Sequence, residues 1–109
     1  MRWFEIQDDY LVGTIPDALG IGWANLHTFL VGNNYLWGEF PSTFENSEML
    51  GTIFIDRNRF NGTFPGFVTT LKNLVWFDAA RNSFVGELPL EMGSAKSLSE
   101  LYSLIHQYV

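Results

Sequence analysis

One short motif recurs four times along this chain at an almost constant interval. Its copies read YLVGTIP, YLWGEFP, FNGTFP and SFVGELP, and the glycines that they share are Gly13, Gly38, Gly62 and Gly86. Spacings of 25, 24 and 24 residues between these glycines predict a solenoid, in which each repeat packs against its neighbours in the chain. The repeats cover about residues 1–25, 26–49, 50–73 and 74–97 of a single domain that spans residues 1–109.

Apolar residues occupy three fixed positions upstream of each glycine. They are Met1, Phe4 and Ile6; Leu26, Phe29 and Val31; Leu50, Ile53 and Ile55; and Leu74, Phe77 and Ala79. Alternation of inward and outward side chains at these positions predicts one short strand in each repeat, with one face in a core. Stacking one strand per repeat predicts a parallel sheet along one side of the solenoid.

The complete frame reads L-x-x-L-x-L-x-x-N-x-L-x-G-x-I-P, and over about residues 1–98 it resembles the plant-type leucine-rich repeat of 24 residues. The resemblance implies an α/β solenoid with a parallel β-sheet on its concave face. It also implies short second strands and 3-10 or helical turns on the convex side, which would bury four further core residues: Leu19, Phe44, Val68 and Met92. Members of this class generally bind protein or peptide ligands on the concave face.

An asparagine follows the strand in three of the four repeats. Asn34, Asn58 and Asn82 hold this position, and Asp9 replaces the asparagine in the first repeat. A carboxamide both donates and accepts hydrogen bonds, so it can satisfy backbone groups of a turn that lack other partners. We therefore expect a structural ladder of asparagines with no direct part in ligand binding.

Residues 98–109 depart from the frame. Leu98 and Leu101 begin a fifth unit in register, but Ser103 occupies an apolar position and His106 stands where the asparagine is expected. The same region can also form a helix capped by Ser94, whose apolar stripe would comprise Ala95, Leu98, Leu101, Tyr102 and Ile105. The sequence thus predicts either a degenerate repeat or a capping helix.

Large apolar side chains recur among the strand positions that point away from the core. Together with neighbouring charged residues they form the predicted ligand-binding face: Trp3, Glu5, Leu30, Phe54, Asp56, Arg57, Trp76 and Asp78. Exposed aromatic residues beside arginine and aspartate have the composition of a binding hot spot. The alternative is that these aromatic side chains cover one another or face a neighbouring repeat.

Composition argues against several other functions. The formal net charge of −6 disfavours a nucleic-acid partner, and no window approaches the length of an apolar membrane helix, so we expect no direct membrane insertion. The chain has no cysteine, and His27 and His106 lie at unrelated positions of the repeat, without further ligands beside them. We therefore predict no metal, no cofactor and no catalytic residues.

The compartment depends on context that the sequence indicates only indirectly. Asn61-Gly62-Thr63 is an acceptor pattern for N-glycosylation, which would be used only in a secreted protein. The resemblance implies an extracellular or cell-surface location, whereas the absence of cysteines keeps a cytoplasmic one open. The predicted function is a non-catalytic module of a receptor-like ectodomain, and the alternatives are a secreted inhibitor resembling polygalacturonase inhibitors or a structural scaffold.

Overall fold

The computed structural model describes residues 1–86. The predictions made for residues 98–109, and the core position of Met92, lie outside the described residues. Seven strands, one α-helix and two 3-10 helices follow one another within the described part: β1 (Trp3–Glu5), β2 (Val12–Gly13), α1 (Asp17–Gly22), β3 (Thr28–Leu30), β4 (Tyr35–Glu39), a 3-10 helix (Ser42–Asn46), β5 (Thr52–Phe54), β6 (Arg59–Asn61), a 3-10 helix (Gly66–Thr70) and β7 (Trp76–Asp78).

The first strand of each repeat joins a parallel sheet of four strands in the order β1-β3-β5-β7. Its register aligns equivalent positions of the repeat, so Phe4 pairs with Phe29, Phe29 with Ile53 and Ile53 with Phe77. One strand per repeat in parallel is the arrangement that the period requires. The predicted fold class, a solenoid with a parallel sheet on one face and short second strands, is confirmed.

The second strands form a separate parallel sheet in the order β2-β4-β6. A bridge between Thr63 and Val85 continues this pairing toward the fourth repeat. The recurrent glycine lies at the end of β2, inside β4 and directly after β6, and it has a positive φ in each case. Gly62, for example, has a φ of 79°, a left-handed conformation that residues with a side chain seldom adopt.

Each helical turn on the convex side is directly preceded by a proline. Pro16 and Pro41 lie in extended conformation directly before α1 and the first 3-10 helix, where a residue without an amide hydrogen is tolerated. Neighbouring turns approach closely, because a Cβ atom placed on Gly20 would collide with the backbone of Thr43 and Phe44. This glycine therefore allows α1 to lie directly against the next turn.

The core fills the space between the sheet and the convex turns. Phe29, Ile53 and Phe77 point into it from the middle of successive strands, and all three are buried. Phe44 packs against Phe29 from the convex side, with the two ring centroids 5.0 Å apart and the ring planes tilted by 48°. Phe40 lies 5.1 Å from Phe44 and 5.8 Å from Phe60, which continues the aromatic packing into the third repeat.

The core positions of the first repeat are less buried than the frame predicts. Met1 was expected in the core, but its side chain is 60% exposed, and Phe4 and Ile6 are only half-buried. The reason is that β1 is an edge strand of the four-stranded sheet, so it has a neighbouring strand, β3, on one side only. At the β1 end of the sheet, the core positions of the repeat are therefore less buried than their equivalents in the second and third repeats.

Candidate ligand-binding face

The outward side of the four-stranded sheet presents its side chains in columns. The first column contains Trp3, Thr28, Thr52 and Trp76, which the register places side by side. Trp3 is 61% exposed and Trp76 is 53% exposed, while Thr28, which strand alternation also directs away from the core, is only 5% exposed. The column thus has an exposed indole ring at each end and two small threonine side chains between them.

The second column contains Glu5, Leu30, Phe54 and Asp78. Leu30 and Phe54 at its centre are half-buried, and a carboxylate lies on either side of them. Glu5 also fixes its surroundings: Trp3 Nε1 donates to Glu5 Oε1 at 3.0 Å, and Gln7 Nε2 donates to Glu5 Oε2 at 3.1 Å. The exposed Trp3 indole is therefore held in position before any ligand arrives.

Asp56 and Arg57 lie just beyond the end of β5 and form an ion pair, with Arg57 Nη1 3.0 Å from Asp56 Oδ2. Partial burial raises the pKa of the Asp56 carboxyl above its ordinary value, and the nearby charge of Asp78 adds to this effect, whereas the hydrogen bond from Arg57 lowers the pKa. Gly32 leaves room for this carboxylate, because a Cβ there would lie 2.5 Å from Asp56 Oδ1. The Asp56 carboxylate is thus partly withdrawn from water, whereas the Arg57 side chain is exposed.

The register places six of the eight predicted residues in two columns of the sheet, and Asp56 and Arg57 lie just beyond the end of β5, but the four apolar residues are divided. Trp3 and Trp76 lie at the two ends of the first column, and Leu30 and Phe54 lie at the centre of the second. Neither tryptophan is in ring-to-ring contact with another aromatic side chain of residues 1–86. The face is therefore a set of separated apolar anchors framed by charges.

The asparagines after the strands lie between successive repeats. Asn34 Oδ1 accepts hydrogen bonds from the backbone N–H groups of Asp9 and Leu11 at 3.1 and 2.9 Å. Its Nδ2 donates to the carbonyl oxygens of Ile6 and Val31 at 2.8 and 3.0 Å. Each asparagine thus completes the turn of the preceding repeat as well as its own.

The other two asparagines repeat this arrangement. Asn58 Oδ1 accepts from the N–H of Leu36 at 3.0 Å, and its Nδ2 donates to the carbonyl oxygen of Val31 at 2.9 Å. Asn82 Oδ1 accepts from the N–H of Phe60 at 3.0 Å, and its Nδ2 donates at 2.9 Å to the carbonyl oxygen of Ile55, which directly follows β5. Asn34 and Asn58 are buried, so these contacts satisfy backbone groups that water does not reach.

Asn61 lies away from the concave face. It is the last residue of β6, its side chain is exposed, and it pairs across the second sheet with Glu39. The acceptor pattern therefore lies on an accessible strand of the second sheet, where an attached glycan would not obstruct the tryptophan column.

The structure contains a groove beside the concave face that the sequence patterns did not predict. It has a volume of about 520 Å³ and contains Tyr10, Tyr35, Arg59 and Arg81 together with Arg57. A signal for it exists in the sequence, because three of the six lysines and arginines fall immediately before or after an asparagine of the ladder. Recognising it required the left-handed turn geometry that brings these positions together.

Within residues 1–86, no group of three or more histidine, cysteine or acidic side chains is placed to hold a metal ion. The helices of this part of the chain have five or six residues, and none is long and apolar enough to cross a bilayer.

Comparison with known proteins gives relatives of one kind. No family model matches the chain. Receptor like protein 23 of Arabidopsis thaliana is 36% identical over 102 residues, which cover 89% of this chain and 11% of that protein. Cuscuta receptor 1 of Solanum lycopersicum is 32% identical over 86 residues, which cover 78% of this chain and 8% of that protein. The chain thus spans only a small part of the length of these relatives.

Solved structures agree with the fold. The crystal structure of the Arabidopsis receptor kinase HAESA, in complex with the peptide hormone IDA and the co-receptor SERK1, matches with a TM-score of 0.78 and 28% identity. That match covers 82% of this chain and 15% of the receptor chain. The chain has the fold of a leucine-rich repeat solenoid, and it is similar to plant receptor-like proteins and to the ectodomain of a plant receptor kinase.

Proposed function

We propose that this segment is a non-catalytic recognition module that binds a peptide or protein on its concave face. The observation that supports this most directly is the pair of exposed indoles, Trp3 and Trp76, at the two ends of one column. Large exposed aromatic side chains are enriched among the residues that dominate binding energy. Leu30 and Phe54, half-buried between them, add apolar area at the centre of the same face.

The charged residues of this face define what a ligand must offer. Glu5 and Asp78 lie at opposite ends of the second column, and Asp56 pairs with Arg57 next to it. A ligand that covers the column would meet carboxylates at both ends and apolar side chains between them. This arrangement favours an amphipathic ligand with basic or amide groups near its ends.

The comparisons support the same proposal. HAESA is a receptor kinase in complex with a peptide hormone, and it shares the fold of this segment. We extend peptide recognition from that receptor to this chain, together with an extracellular or cell-surface location. Glycosylation of Asn61, which is exposed on β6, would accompany that location.

Selection of phage-displayed random peptides on the immobilised chain tests this proposal. The selected peptides should bind the unsubstituted chain, and Trp3→Ala and Trp76→Ala should each weaken binding by about tenfold or more, the loss expected when one hot-spot anchor is removed. Trp37→Ala is the matched control, because Trp37 is 51% exposed but lies on β4 of the second sheet. Circular dichroism spectra of all three variants check that the fold is retained.

Two results would contradict the proposal. If Trp37→Ala weakens binding as much as Trp3→Ala and Trp76→Ala do, the ligand does not lie specifically on the concave face. If no peptide is enriched, the segment acts as a scaffold that holds other repeats in place. If peptides bind but neither concave-face variant changes their binding, the peptides bind a surface other than the concave face.

A further inference from the structure

A groove runs along the edge where the strands of the four-stranded sheet end. Four equivalent positions of successive repeats follow this edge in the order Asp8, Asn33, Arg57 and Arg81. All four adopt a left-handed conformation with φ between 54° and 58°, which is uncommon for residues other than glycine. Because the backbone turns in the same way in each repeat, these positions lie in a row along the groove.

Positive charge is concentrated in one half of this groove. Arg57, Arg59 and Arg81 line it, although the whole chain has a formal net charge of −6 and only six lysines and arginines. The described part of the chain contains one salt bridge, between Arg57 and Asp56. Within residues 1–86, Arg59 and Arg81 therefore have no carboxylate as an ion-pair partner.

The other half of the groove is aromatic and acidic. Tyr10 and Tyr35 stack with a centroid distance of 6.1 Å, and the guanidinium carbon of Arg59 lies 4.9 Å from the centroid of the Tyr35 ring. This cation–π contact positions Arg59 beside the aromatic surface. Asp8 lies at the far end, where its Oδ1 accepts a hydrogen bond from Asn33 Nδ2 at 2.6 Å.

We propose that this groove binds an extended peptide whose acidic residues contact Arg57, Arg59 and Arg81. Adjacent strands lie about 4.8 Å apart, so the row from Asp8 to Arg81 spans about 14 Å. An extended peptide rises about 3.3 Å per residue, so about four residues fit along the row. The acidic end of the peptide lies against the arginines, and its neutral end crosses the tyrosine pair toward Asp8.

The mixed character of the groove favours a peptide over a uniformly anionic ligand. A polyuronate chain of similar length would place a carboxylate against Asp8, where two like charges repel. An inorganic phosphate ion would fill only the arginine end and leave the tyrosine pair uncovered. A peptide can present carboxylates at one end and amide or apolar groups at the other, which matches what the groove offers.

This inference goes beyond the proposed function, because it concerns a second surface. The groove shares Arg57 with the concave face. Arg59 and Arg81 line the groove but are not among the residues predicted for the concave face. Loss of peptide binding through Arg59 and Arg81 can therefore be told apart from loss of binding through Trp3 and Trp76.

Fluorescence anisotropy with a labelled, amidated Gly-Ala-Glu-Glu peptide tests the inference on the full 109-residue chain. The double variant Arg59→Gln/Arg81→Gln should weaken binding by about tenfold or more, because two charge-assisted contacts are removed. Arg2→Gln/Lys72→Gln is the matched control, because it also removes two positive charges but from positions that do not line the groove. The control should bind the peptide as the unsubstituted chain does.

Further probes identify the class of ligand. The peptide Gly-Ala-Gln-Gln should bind at least about tenfold more weakly than Gly-Ala-Glu-Glu, since it lacks the carboxylates that the arginines contact. Failure of Gly-Ala-Glu-Glu to bind the unsubstituted chain would overturn the inference, as would equal weakening in both double variants. Tighter binding of inorganic phosphate or of a galacturonate tetramer than of the acidic peptide would overturn it as well.

Discussion

Phe4 and Phe29 occupy the same position of successive repeats, pair with each other across β1 and β3, and stack at a centroid distance of 5.5 Å. Phe29 is nevertheless buried, whereas Phe4 is only half-buried. The two side chains differ in their neighbours: Phe29 has a strand on either side, and β1 is an edge strand. The comparison teaches that the repeat determines where a core side chain points, and that at the β1 end the lack of a second neighbouring strand leaves part of the ring exposed.

The largest expected effect comes from truncating these two rings. Phe29→Ala should lower the free energy of unfolding by about 3–5 kcal/mol, since a buried phenylalanine leaves a cavity that the core fills only partly. Phe4→Ala should cost clearly less, because part of that ring is already in water. Urea denaturation followed by circular dichroism measures both values. Equal losses would mean that the first repeat is packed as tightly as the second, contrary to the exposure seen here.

A smaller effect is expected at the position after the strand. Asn58→Ala should lower the free energy of unfolding by about 1–3 kcal/mol, because it leaves buried backbone groups such as the Leu36 N–H without a partner. Asp9→Ala is the matched substitution in the first repeat. Asp9 is exposed, and among residues 1–86 its carboxylate accepts no hydrogen bond, so its loss should change stability by less than about 0.5 kcal/mol.

The same denaturation measurements check this pair. A large loss for Asp9→Ala would show that the carboxylate substitutes for an asparagine of the ladder. A negligible loss for Asn58→Ala would mean that water enters the turn and satisfies the groups that Asn58 leaves behind.

The smallest effect concerns the pH dependence of stability at Asp56. Its pKa in the folded chain is raised above the ordinary value of 3.8, so the folded state binds a proton more readily than the unfolded state. The ionised carboxylate therefore destabilises the fold above the folded pKa, and this cost disappears as the pH falls through that pKa toward 3.8. Asp56→Asn should stabilise the chain at pH 7, by less than about 1 kcal/mol for such a partly exposed group.

Chemical denaturation between pH 4 and pH 7 measures this difference. The advantage of Asp56→Asn should shrink as the pH falls, because the unsubstituted carboxyl becomes protonated. An advantage of Asp56→Asn that grows toward pH 4 would contradict the sign argued here.

Much of the fold could be predicted from the sequence because the period imposes it. The register that pairs Phe29 with Ile53 follows directly from a spacing of 24 residues, since equivalent positions must lie side by side in a stacked solenoid. Side-chain exposure could not be predicted in this way. The burial of Thr28 and the exposure of Met1 depend on the residues that surround each position rather than on the repeat frame.

The candidate binding face shows the same division. The outward direction of Trp3 and Trp76 follows from strand alternation, but the split of the four apolar residues between two columns emerges only when the register is known. The arginine groove depends on left-handed turns at Arg57 and Arg81, a conformation that the identity of these residues does not suggest. Single-sequence patterns report periodicity well, and they report the direction of turn side chains poorly.

The hydrogen bonds of the asparagine ladder have a consequence for how such a chain changes in length. Asn58 reaches back to Val31, as Asn34 does to Ile6, so each repeat completes the turn of the one before it. A whole repeat inserted into the series brings one asparagine and one turn that requires the next asparagine, so no buried group is left without a partner. Solenoids of this kind can therefore gain or lose units of 24 residues while each remaining junction keeps its chemistry.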